Sequence, residues 1–197
     1  DERELIVGSV NGLYHCRLVD SGALEMIGRI EAIPESRITG IAGRKDRSGF
    51  IIASASEGIF LFRKWAGEFR VSSRIQFRDL GIGNIQDVME DSRSNLWVAT
   101  FGTGLVKISA SPEGEYSQTQ TFNSTARGSS DHVKTVFEDR EGIIWSGNYG
   151  NGLSRITPRI YEVQTIDESR FGTGIHAFCS SLGAHMTPLR TCMTTFS

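Results

Sequence analysis

The sequence predicts an all-β protein, an incomplete β-propeller of four-stranded antiparallel blades, with about three to four blades present. Three observations lead there. The first is a repeat: Ile85 to Ile108 and Val133 to Ile156 are the same segment written twice, with Trp97 and Trp145 48 positions apart and no gap between the copies. A period of roughly 40–50 residues made of short strands marks a propeller array. The second is composition, since 22 Gly against 4 Pro suits many tight turns. The third is the lack of any long stretch with helical periodicity.

Each full repeat reads as a blade. A first strand, around Val88 and around Val136, is followed by Asp91-Ser-Arg-Ser and Asp139-Arg-Glu-Gly. Those are turn sequences: an Asp carboxylate accepts from the backbone amide two residues on, and Gly142 tolerates positive φ. A second strand runs Leu96 to Thr100 and Ile144 to Asn148, holding the Trp. Gly102-Thr-Gly104 and Gly150-Asn-Gly152 make the next turn, and a third strand covers Leu105 to Ile108 and Leu153 to Ile156. Tyr116 to Phe122 fits a fourth, outer strand. One period earlier the order recurs in weaker form, as Ile38-Thr-Gly-Ile41, Asp46-Arg-Ser-Gly49, Phe50 to Ser54 and Gly58 onward, with Ile52 in the Trp place. Leu5 to Tyr14 resembles the second and third strands of a blade whose first strand is missing. The expected blade units are 1–33, 34–80, 81–128 and 129–167. Residues 168–197 lack the pattern and form a divergent tail, degenerate or out of frame.

The 21 basic and 23 acidic residues give a formal charge of −2, so no basic stripe points to nucleic acid. No apolar run approaches the ~20 residues of a membrane helix, and a membrane enters only through segments the chain lacks. Cys16, Cys179 and Cys192 have no zinc spacing, and His15, His132, His176 and His185 form no metal set. The three thiols read as unpaired, with a Cys179–Cys192 bridge as the oxidising alternative. Phosphate-loop, dinucleotide, nucleophile-elbow and paired-histidine zinc motifs are missing. No cofactor, metal or catalytic residue is expected.

The recurrence of Trp97 and Trp145 at one repeat position argues for blade-to-blade core rather than sugar platforms. Asp91 and Asp139 read as turn caps, and Glu90 and Glu138 as repeated structural groups. Ligand-binding residues are expected instead where loops differ between units, at the mouth formed by the outer-strand connections and the second turn of each blade. Arg37, Asn84, Phe101, His132, Asn148 and Tyr149 lie in those loops. Polar groups can meet sugar hydroxyls there, and a ring can meet a sugar C–H face.

The segment Val136-Phe-Glu-Asp-Arg-Glu-Gly-Ile-Ile-Trp-Ser-Gly-Asn-Tyr-Gly-Asn-Gly-Leu and its counterpart from Val88 to Leu105 resemble the two-component regulator propeller repeat. The resemblance covers about residues 5–160. It implies a seven-bladed propeller, often doubled, in the extracytoplasmic sensor of a bacterial membrane receptor with a histidine kinase or a cyclic-dinucleotide synthase inside the cell. The function expected on that basis is periplasmic, non-catalytic sensing of a small molecule or oligosaccharide, signalled by a shift in how two propellers pack across a dimer. Two alternatives stand beside it. One is a propeller lyase or hydrolase acting on polysaccharide, for which Glu35, Asp131 and His132 are the available acid–base groups. The other is a protein-interaction scaffold. Three to four blades leave open strand edges, so further blades of a longer protein, or a second copy of the chain, are the expected partners.

Overall fold

A computed structural model describes residues 3–65, 68–76, 81–111, 115–125, 129–157 and 162–166. The expected divergent tail, with Cys179, Cys192, His176 and His185, lies outside them. The described residues form four antiparallel sheets, each a meander with its strands in chain order. The first contains β1 (Arg3–Ser9), β2 (Gly12–Leu18) and β3 (Leu24–Arg29). The second contains β4 (Ile38–Gly43), β5 (Gly49–Ser54), β6 (Gly58–Trp65) and β7 (Glu68–Ile75). The third contains β8 (Ile85–Glu90), β9 (Leu96–Thr100), β10 (Leu105–Ala110) and β11 (Tyr116–Phe122). The fourth contains β12 (Val133–Glu138), β13 (Ile144–Asn148), β14 (Leu153–Thr157) and β15 (Glu162–Ile166). The first strands β4, β8 and β12 lie side by side, as the inner strands of a propeller do, and β1 packs beside β4. This is a β-propeller arc.

Strands inside the arc, such as β5 and β9, are near-continuous apolar runs buried on both faces, and a core layer lies between neighbouring sheets. Leu13, Ile33, Ile38, Ile52, Phe60 and Phe62 fill the layer between the first and second sheets. Ile51, Ala53 and Leu61 meet Val88, Leu96 and Val98 between the second and third. Trp97, Ala99 and Phe122 meet Val133, Val136 and Ile144 between the third and fourth.

The register corrects one expectation. Trp97 pairs with Met89, and Trp145 with Phe137. The matching pair in the second sheet is Ala42 with Ile51. Ile51, not Ile52, therefore takes the Trp place and faces the same core layer as its counterparts would. Ile52 faces backward, against the first sheet. A slip of one residue flips a strand side chain to the other face, and the isoleucine pair gives no sequence signal to choose between them.

One irregularity repeats. The pairing of first and second strands shifts register between Ile38 and Gly40, between Ile85 and Asp87, and between Val133 and Thr135. Thr39, Gln86 and Lys134 drop out of the ladder. Such bulges re-aim a side chain at a sheet end. At the following turn Gly104 is required: φ is +95°, and a Cβ there would meet the Phe122 carbonyl oxygen.

The glutamates expected to be repeated structural groups clamp neighbouring sheets together. Glu90 is buried and accepts from the Lys45 amide at 2.7 Å and from Arg44 Nε at 3.2 Å. Glu138 does the same one blade on, accepting from the Ser92 amide and from Ser92 Oγ. Each glutamate thus binds the amide just past the first-strand end of the preceding blade.

Candidate functional site

The strand ends opposite the Asp91 and Asp139 turns carry a concavity of about 290 Å³. It is built by one repeated device. In the second, third and fourth sheets the residue before the first strand accepts a backbone bond from the residue just after the second strand. Ala55 N–H donates to the Arg37 carbonyl at 2.8 Å, Phe101 N–H to Asn84 at 3.0 Å, and Tyr149 N–H to His132 at 2.8 Å. Arg37, Asn84 and His132 therefore stand at one repeat position, and Ala55, Phe101 and Tyr149 at another. Two loops of each of these blades are tied together, so the side chains rest on backbone anchored in the sheets.

Of the six residues expected from sequence, Arg37, Asn84, Phe101 and Tyr149 line this concavity. His132 sits at its edge, with its ring 4.1 Å from that of Phe101 in an edge-on contact. Phe101 also meets Tyr149 edge-on at 5.9 Å. Both rings keep solvent-facing surface, at 43% and 57% exposure. Asn84 holds φ of +53°, which asparagine tolerates better than most residues.

Asn148 is a correction. It is fully buried, and its amide donates to Ser154 Oγ at 2.8 Å. Its counterparts at the second-strand end, Thr100 and Ser54, are buried too, and Thr100 Oγ1 donates to the Gly104 carbonyl across the same turn. This position closes a turn and faces inward.

Sequence reading missed Gln86 and Lys134, which also line the concavity. Both are the residues that the register shift drops from the ladder. Lys134 Nζ donates to Gln86 Oε1 at 3.3 Å, and Gln86 Nε2 donates to Asn84 Oδ1 at 3.0 Å. Their only sequence signal is that they lie 48 positions apart, one repeat unit, as the second residue of corresponding strands.

Beneath them lies Asp87. Its carboxylate accepts from the Val88 amide, from Thr135 Oγ1 at 2.8 Å and from the Val136 amide at 3.1 Å, bridging β8 to β12. Burial pushes this carboxyl up to about 6, against the opposing pull of those hydrogen bonds and of Lys134. In β4 the same place is Gly40, where a Cβ would lie 3.0 Å from the Val88 amide nitrogen.

Of the three acid–base groups weighed for an enzyme, His132 stands at the edge of this concavity, and Asp131 and Glu35 have neighbours of their own. Asp131 accepts from the Ser124 amide and hydroxyl, which hold its carboxyl below the usual carboxylate range. Glu35 lies 3.6 Å from Arg29. At the other strand ends, a larger concavity of about 430 Å³ is lined by Asp91, Trp97 and Glu138 among others. There Asp91 caps its turn, accepting from the Arg93 and Asn95 amides, and Glu138 clamps Ser92.

Residues 79–102 match the family described as two component regulator propeller. The chain carries that regulator propeller repeat. Solved structures extend the likeness over the arc. The extracellular domain assigned to the hybrid two component system BT3049 of B. thetaiotaomicron superposes with a TM-score of 0.67 at 20% identity, over 87% of this chain and 22% of that one. The extracellular domain assigned to the one component system BT4673 of the same organism gives 0.60 at 15%, over 82% and 20%. The β-propeller domain of Cps50 (Swd1) from Myceliophteria thermophila gives 0.59 at 12%, over 88% and 57%. At these identities the likeness is one of fold, and the chain spans about a fifth of the length of the first two. No curated protein matches it.

Proposed function

We propose that this regulator propeller arc is the ligand-sensing part of a bacterial signal-transduction receptor, placed on the extracytoplasmic, periplasmic side of the membrane, and that it binds an oligosaccharide without transforming it. The observation that carries the reading is the concavity shared by three adjacent blades, where Phe101 and Tyr149 offer exposed rings beside Arg37, Asn84 and Lys134. Rings that pack on C–H faces, set among donors that meet hydroxyls, are what a saccharide needs. The regulator propeller match and the likeness to extracellular domains of two component systems support the cellular setting. Because the lining comes from the second, third and fourth sheets, a ligand there would bias how those blades pack, and a biased packing equilibrium is a signal. The test is calorimetric titration of the protein carrying this arc with a panel of neutral and charged oligosaccharides, followed by chromatography of each mixture. Binding with recovery of intact sugar is expected. Cleaved sugar would convert the reading to an enzyme, and a wholly silent panel would end it.

A further inference from the structure

The lining of the mouth concavity is one-sided in charge and in hydrogen-bond polarity. Arg37 and Lys134 line it, and among its described lining residues there is no aspartate or glutamate. Arg37 is exposed. Among the described residues its guanidinium has no hydrogen-bond or ion-pair partner, and only its carbonyl is engaged, by the Ala55 amide. The amides lean the same way. Gln86 spends its oxygen on Lys134 and its nitrogen on the Asn84 oxygen. That leaves the Asn84 NH₂ a donor with no partner among the described residues. The side-chain amide oxygens are used internally, while donors from Arg37, Asn84 and Lys134 remain for a visitor beside the Tyr149 hydroxyl, which can donate or accept.

A neutral sugar hydroxyl both donates and accepts, so a lining rich in donors and poor in free acceptors meets only its accepting side. A carboxylate or sulfate group only accepts, and charge-assisted bonds to Arg and Lys are about twice as strong as neutral ones. The planar guanidinium also matches either oxyanion with two parallel bonds. Resting on the sensing reading above, we propose that the ligand is an acidic oligosaccharide, whose carboxylate or sulfate is held between Arg37 and Lys134 while a sugar ring lies on Tyr149 or Phe101. Sequence charge gives no hint of this, because the chain as a whole is acidic by two charges. The concavity is a local inversion of that sign.

The experiment titrates the protein carrying this arc with matched pairs: tetragalacturonate and its full methyl ester, a sulfated galacto-oligosaccharide and its desulfated form, and an acidic tetrapeptide. The expected result is binding of one acidic sugar at least tenfold tighter than its neutral partner, weakening as salt rises. Arg37→Gln and Lys134→Gln should each lower that affinity about tenfold. Tyr149→Ala should lower it too, with the melting temperature of all three variants unchanged. Which pair discriminates tells carboxylate from sulfate. Neutral partners binding as well as acidic ones, with Arg37→Gln silent, would overturn this inference and leave the sensing reading intact. Binding of the peptide alone would overturn the saccharide assignment, and binding of nothing would remove both readings.

Discussion

Trp97 Nε1–H donates to Asp91 Oδ2 at 2.8 Å, and the same pair recurs one blade on, where Trp145 meets Asp139 at 2.7 Å. The aspartate does two jobs at once. Its other oxygen accepts backbone amides of its own turn, from Arg93 and Asn95 in one blade and from Glu141 and Ile143 in the next. The turn and the core indole are thereby fixed by a single carboxylate. In the second sheet both partners are gone together: Ile51 replaces the indole, and Arg44 takes the place of the aspartate and turns to Glu90 instead. A lone aspartate at that place would have a buried site and no indole to serve.

Trp97→Ala should destabilise the fold by about 3–5 kcal/mol, because the indole is 1% exposed between the third and fourth sheets. Trp145 is only half-buried among the described residues, so Trp145→Ala should do less. Urea denaturation ranks the two, and equal losses would contradict the packing described here. A double-mutant cycle between Asp91→Ala and Trp97→Phe should return a coupling of roughly 0.5–3 kcal/mol.

Glu90 joins two blades from a buried position. Its removal in Glu90→Ala strands the Arg44 guanidinium and the Lys45 amide, for an expected loss of about 3–5 kcal/mol. Arg44→Met together with Glu90→Met should recover most of that loss, since no charge is then left unpaired. A double variant as unstable as the single one would mean that the pair matters for more than its charge.

Asp87 predicts a pH dependence. Its carboxyl, raised from 3.8 to about 6 by burial, holds a proton more tightly folded than unfolded. Its contribution is therefore full below about pH 4 and is lost as pH rises through about 6, on the order of 3 kcal/mol for a two-unit shift. Asp87→Asn should remove that slope. Stability of the two proteins measured by urea unfolding from pH 4 to pH 7.5 should diverge in wild type's disfavour, and parallel curves would contradict the burial assigned to this group.

The exposed rings should separate binding from stability. Phe101→Ala and Tyr149→Ala lie on the mouth loops and should change unfolding free energy by no more than about 0.5–1 kcal/mol, while weakening any sugar bound in the concavity. A large drop in melting temperature for Tyr149→Ala would show that its ring supports the loop instead.

The mouth was legible in part. Arg37, Asn84, Phe101 and Tyr149 could be found because their loops differ between repeats, and variable loops on a constant frame are where recognition sits. Asn148 could not be told from them, since the chain shows no difference between a loop-facing asparagine and one turned inward on Ser154. Gln86 and Lys134 were hidden for a related reason. Only the register shift takes them out of the ladder, and a bulge is a fact of pairing between two segments.

By itself the sequence determined the repeat, its strands and its turns, because period-two alternation, Asp-led turns and paired glycines are local preferences written along the chain. Tertiary structure alone decided which of Ile51 and Ile52 replaces the indole, that Glu90 reaches Lys45 in the neighbouring blade, and that Arg37 and Lys134 share one hollow. Those choices depend on register and on contacts between residues tens of positions apart, and such contacts are fixed only when the sheets pack.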